Sequence, residues 1–120
     1  MQRLKRRQDF VAAAKAVSWG MPAFMMQLRK RDDDGPARLG FTCTKKLGNA
    51  VMRNRIKRRL KESSRLALST IAKASCDYVI IGRSSAETRA FDILQSDLIS
   101  AVQRLHAKAD QMAEQPVDIK

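Results

Sequence analysis

Histidine and cysteine are nearly missing from this chain of 120 residues, which holds one His, His106, and two Cys, Cys43 and Cys76. Neither cysteine belongs to a Cys-x-x-Cys pair or a Cys/His cluster, so the spacing of a metal site is absent. At most one disulfide is available, and a reducing compartment fits best. No Ser/His/Asp set and no paired carboxylates in a plausible cleft can be assembled, which argues against catalysis by side chains; His106 has no such partner and reads as a surface or helix-end residue. Long apolar runs are lacking too. None approaches the roughly 18 residues of a membrane span, and the apolar stretch after the basic start MQRLKRRQ is ended by Lys15 too early for a signal peptide. There are no repeats and no interdomain linker, and the length suits one domain.

What the chain has in excess is positive charge. Lys and Arg number 24 against 12 Asp and Glu, a formal charge of +12, so the folded molecule repels itself and calls for a polyanion, nucleic acid foremost. The charge is uneven: residues 1–31 carry +7, 32–34 carry −3, 35–65 carry +9 and 66–120 carry −1. The binding surface therefore belongs to the first 65 residues.

Periodicity outlines the elements. Phe10, Ala13, Ala14 and Val17 fall at helical spacing, predicting a first helix over Gln8 to Val17 that Gly20 and Pro22 break. Trp19 reads as a partly buried cover over the core. AFMMQLR and ARLGFTCTKK alternate like half-buried strands. The turn chemistry of DDDGP between them predicts an antiparallel hairpin, with Asp32 to Asp34 solvated rather than ligating. DYVIIG is apolar enough for a central strand, and Leu94, Leu98, Val102 and Leu105 predict a last helix from about Phe91 to His106. From Ala107 the pattern fades, predicting a flexible tail over 108–120.

Between the second and third strands lies TKKLGNAVMRNRIKRRLK, with eight Lys or Arg in eighteen positions and no acid. Gly48 and Asn49 supply a turn and an N-cap for a helix from Ala50 to about Ile71. At roughly 100° per residue, Met52, Leu60, Ser63 and Ala67 lie within about 40° of Ile56 and form a narrow core stripe. Asn54, Arg55, Lys57, Arg58, Lys61 and Arg65 occupy the opposite arc, and Arg53 and Arg59 flank the stripe at about 60° on either side. A merely solvated face mixes signs for i,i+4 pairing; this one keeps a single sign until Glu62, so a partner must offset the repulsion. A membrane is a poor candidate, because the stripe is narrow and needed for the core. Phosphate suits the planar fork of Arg, and Asn54 can donate to phosphate or base.

The segment Arg38 to Glu62, RLGFTCTKKLGNAVMRNRIKRRLKE, resembles the signature of the bacterial ribonuclease P protein subunit: a strand ending in a Lys pair, a Gly-Asn-Ala turn and an Arg-Asn-Arg helix. The basic start with its DF pair, PAF opening a strand and DYVIIGR after the basic helix follow in the same order, so the resemblance covers roughly residues 1–107. It implies an α+β fold, a single-domain α/β sandwich in the order α-β-β-(β)-α-β-α with a left-handed βαβ crossover. It implies a domain over 1–107 that binds the catalytic ribonuclease P RNA and the 5′ leader of precursor tRNA. By match to the motif, Lys45, Lys46, Asn49, Arg53, Asn54, Arg55, Lys57 and Arg58 are the RNA-binding residues, and Phe10 and Phe24 line the leader cleft. Ala14 and Gln27 stand where further cleft aromatics can occur. The resemblance further implies no catalytic residue and no metal site on the protein. It implies too that Mg²⁺ is held mainly by the partner RNA and substrate, that one protein serves each RNA, and that the setting is the bacterial cytoplasm with no membrane contact. A general RNA-binding or ribosome-associated module would share the fold and the charge.

Overall fold

The computed structural model describes residues 1–114. The elements are β1 (Gln2–Arg3), α1 (Arg7–Ala14), β2 (Val17–Gly20), β3 (Phe24–Lys30), β4 (Arg38–Thr42), α2 (Ala50–Leu68), β5 (Cys76–Gly82) and α3 (Phe91–Glu114), with short 3₁₀ turns at Lys45–Leu47 and Ser84–Glu87. The strands form one sheet in the order β1-β4-β5-β3-β2.

β5 is central because its side chains are apolar on both faces. Tyr78 and Ile80 point into a large core with Phe24, Met26 and Leu28 of β3, Ile56 and Leu60 of α2, and Leu94, Leu98 and Leu105 of α3. Val79 points the other way, to Leu4 and Ala13, with Phe10 and Ile81 packed alongside. Each fully buried Leu or Ile contributes about 1.5–3 kcal/mol, so α2 and α3 are held on one face and α1 more lightly on the other.

The expected hairpin of the first and second predicted strands, AFMMQLR and ARLGFTCTKK, is not formed. β3 and β4 do not pair: β5 inserts between them, antiparallel to β3 and parallel to β4. The Asp-rich loop instead passes over the start of β5, where Arg31 donates from its backbone N–H to the Ser75 carbonyl at 2.6 Å and Ser75 to that of Gly35 at 2.8 Å. The hairpin that does exist joins β2 to β3, Val17 facing Leu28 and Trp19 facing Met26. The first helix accordingly stops at Ala14, and Val17 opens a strand instead of closing a helix. Its period of two is carried by Val17 and Trp19, which pack on the large core, and Trp19 is covered in turn by the Arg104 guanidinium 5.0 Å from its ring centroid.

The basic helix α2 links β4 to its parallel neighbour β5, as a βαβ crossover requires. At the other end of the chain, α3 runs past the expected stop near His106. Ala109 is buried, and Asp110 pairs with Lys30 at 2.9 Å, so residues 108–114 are helix rather than tail. Residues 115–120 of the expected tail lie outside the described residues. His106 also has a partner after all: its Nε2 lies 2.7 Å from the Tyr78 hydroxyl.

Candidate nucleic-acid interface

The interface is built on α2 and the turn before it. Gly48 takes φ of +132°, a conformation that favours glycine, and aims the chain into the helix. Asn49 caps it, its side-chain oxygen accepting from the Met52 N–H at 2.9 Å. Ile56, Leu60, Ser63 and Ala67 are buried and Met52 half-buried, so the narrow stripe read from the sequence is the packed face. Lys45 and Lys46 stand exposed on the 3₁₀ turn, as do Asn49, Asn54, Arg55 and Arg58 on the helix, while Arg53 and Lys57 are half-buried at its flank.

Beside this helix, at the β1–β4 edge of the sheet, opens a cleft of about 700 Å³. Phe10, Leu4 and Phe41 supply its apolar lining, and Lys57, Lys61 and Arg65 of α2 together with Arg3 and Lys5 supply cations. Phe10 is set by contact: a Cβ on Gly40 would lie 2.7 Å from its ring and 3.0 Å from the Leu4 Cβ, so only glycine lets the ring rest on the strand. β1 ends at Arg3, and Leu4 makes the last bond to β4, from its N–H to the Leu39 carbonyl at 3.0 Å. Backbone groups of alternate residues point to the same side of a strand, so the Phe41 peptide groups face the open edge inside this cleft.

Of the expected site residues, the cleft brings together Phe10 and Lys57. Phe24 is not among them. It has no exposed surface and lies in the large core, on the face of the sheet opposite Phe10. β-strand alternation explains the difference: Phe24 faces the same way as Met26 and Leu28, toward α2 and α3, so it cannot stack on a ligand. Arg55 has a partner in Glu87 at 3.5 Å while remaining half-exposed.

Lys61, Arg65, Arg3 and Lys5 were not expected at the cleft. Lys61 and Arg65 lay on the cationic arc of the helical projection, whereas Arg3 and Lys5 are placed by β1, whose two residues carry no periodicity. A second group of cations serves the fold. Arg38 grips the wholly buried Asp77 with two bonds, 2.7 and 2.8 Å, Arg31 adds one at 2.5 Å, and Arg29 bridges Asp77 to Asp9 of α1 at 3.5 and 3.1 Å. These arginines hold strands together. Among the described residues no three His, Cys, Asp or Glu side chains gather to hold a metal ion, and no helix is long and apolar enough to cross a membrane.

A one-signed helix face beside an aromatic-lined cationic cleft, on an α/β sandwich, defines a nucleic-acid-binding protein. Comparison with known proteins narrows the class. The Ribonuclease P family model matches residues 1–106. A "Ribonuclease P protein component" of Ruegeria pomeroyi is 50% identical over 107 residues, 87% of this chain and 86% of the relative. One of Caulobacter vibrioides is 47% identical over 110 residues, 91% and 74% respectively. Among solved structures, the RNase P protein from Thermotoga maritima superposes with a TM-score of 0.71 at 27% identity, covering 87% of this chain and 97% of that one. That from Staphylococcus aureus gives 0.67 at 28% identity, covering 91% and 95%. The chain belongs to the ribonuclease P protein family.

Proposed function

We propose that this chain is the protein component of a bacterial ribonuclease P. It binds the ribonuclease P RNA through Lys45, Lys46, Asn49, Arg53, Asn54, Arg55, Lys57 and Arg58. The single-stranded 5′ leader of precursor tRNA lies in the cleft beside Phe10. The reaction served is hydrolysis of one phosphodiester, which releases the leader. On this reading the RNA carries the chemistry, with Mg²⁺ held by RNA and substrate activating water; the protein's own part is to bind the leader and neutralise phosphate charge. One protein acts per RNA, in the bacterial cytoplasm. The observation that carries the reading is the meeting of Phe10 with Lys57, Lys61 and Arg65 in one cleft: an aromatic surface for a base beside cations for its phosphates is what single strands require.

Reconstitution tests it. The isolated chain leaves precursor tRNA intact in Mg²⁺, and with a bacterial ribonuclease P RNA it stimulates cleavage at near-physiological salt. Stimulation is greater for a long leader than for a leader of one nucleotide, and Phe10→Ala shrinks that difference. Equal stimulation of both substrates by the unmodified protein removes leader binding from the account.

A further inference from the structure

The cations of α2 divide between its two flanks. Lys57 and Lys61, at about 100° and 140° from Ile56, lie toward the cleft; Arg59 and Arg55, one turn apart at about 60° and 100° in the opposite sense, lie toward the segment 83–90 between β5 and α3. Arg59 is engaged there through the fork of its Nε and Nη2. Its Nε donates to the Ala86 carbonyl at 2.9 Å and its Nη2 to the Arg89 carbonyl, while Arg55 reaches Glu87 of the same segment. The segment is itself anchored on its far side. Arg83 donates to the Met21 carbonyl at 2.7 Å, Ser85 Oγ to the Pro22 carbonyl at 2.7 Å, and Arg89 to Asp97 of α3 at 2.6 Å.

A phosphate can take this fork of Arg59 only by freeing two carbonyls that hold a loop in place. We propose that Arg59 is a positioning residue that contacts no RNA: by clamping α2 to the 83–90 segment it sets the roll of the helix, and with it the aim of Arg53, Lys57 and Arg58. The inference rests on the reading of α2 as the RNA-binding face. Arginine is needed because its planar guanidinium reaches both carbonyls from one rigid group, whereas a Lys ammonium keeps the charge without the fork.

The test compares the whole protein with R59K and R59M, measuring affinity for a bacterial ribonuclease P RNA transcript well below the unfolding temperature and amide hydrogen exchange over 84–90. Both variants are expected to bind about tenfold more weakly, from the loss of hydrogen bonds of ordinary strength, and both to exchange faster over 84–90. If R59K binds like the unmodified protein while R59M does not, Arg59 is a charge contact and the proposal falls. It falls equally if both variants bind normally despite a loosened segment, because the clamp would then be structural only. Should R59M fail to fold, R59K decides alone: weakened binding with faster exchange supports the clamp, and unchanged binding overturns it. Failure of the unmodified protein to bind the transcript overturns the RNA-binding reading itself, and the proposal with it.

Discussion

A carboxylate with no exposed surface, Asp77, sits among three arginines. Burial by itself pushes its carboxyl up, but the bonds from Arg38 and Arg31 more than offset this and hold it below the usual carboxylate range. It therefore stays charged, and its neighbours depend on that charge. Removing one partner of a buried pair costs about 3–5 kcal/mol, so Asp77→Asn is expected to lower the urea-unfolding free energy by about 3 kcal/mol. A loss under about 1 kcal/mol would show that water replaces the ion pairs. The same residue shows how alike two roles look in a sequence. Arg38 stands inside the quoted basic signature and is structural; Lys57 stands nineteen positions later and lines the cleft. Charge alone does not separate them, because the acid that claims Arg38 lies 39 residues away.

At the scale of the element, helices were legible where a stripe repeated. The Ile56 stripe, the Asn49 cap and the Leu94 to Leu105 ladder all stand as the periodicity predicts. Strand partners were not legible, because alternation assigns faces and leaves neighbours unassigned. β1 and β2 are too short to announce themselves, and beyond His106 the helix α3 carries buried Ala109 and the Lys30–Asp110 pair, whose partner lies 80 residues away in the sequence. Phe24 was misplaced for a related reason: a matched position names a residue, while its face follows from strand parity.

The seating of α3 also carries a pH dependence. The Tyr78 hydroxyl accepts from the Lys73 N–H at 2.9 Å and lies 2.7 Å from His106 Nε2, where a neutral ring is able to take the phenolic proton and a charged one is not. Burial, then the charges of Lys73 and Lys30, hold His106 below its ordinary value against the opposing pull of Asp110, and burial keeps the Tyr78 phenol protonated. A group whose pKa is depressed by folding adds stability above its unfolded value, near 6.5, and loses it as pH falls through the folded value. The urea midpoint is thus expected to be flat from pH 8 to about 7 and to decline below about 6. His106→Leu removes this part of the decline. A midpoint unchanged between pH 7 and 5 in the unmodified protein would mean that the Tyr78–His106 bond does not depend on the neutral ring.

For the molecule as a whole, the charge of +12 sets how binding responds to salt. If Lys45, Lys46, Lys57, Arg58 and Lys61 each neutralise one phosphate, the logarithm of the RNA affinity falls against the logarithm of salt concentration with a slope of about 3.5 to 4.5. An affinity barely altered between low and physiological salt would exclude an electrostatic interface. The placement of β5 has a different consequence, which concerns synthesis. Residues 76–82 are the bridge between the β1–β4 and β2–β3 halves of the sheet, and no strand pairing joins those halves without it. While a ribosome is still adding the residues before Cys76, β3 and β4 each present an open edge, the basic helix has only part of its seat, and Ile56 and Leu60 lack Tyr78 and Ile80 to pack against. The sheet that seats the basic helix is therefore complete only once this seven-residue strand has been added between the two edges.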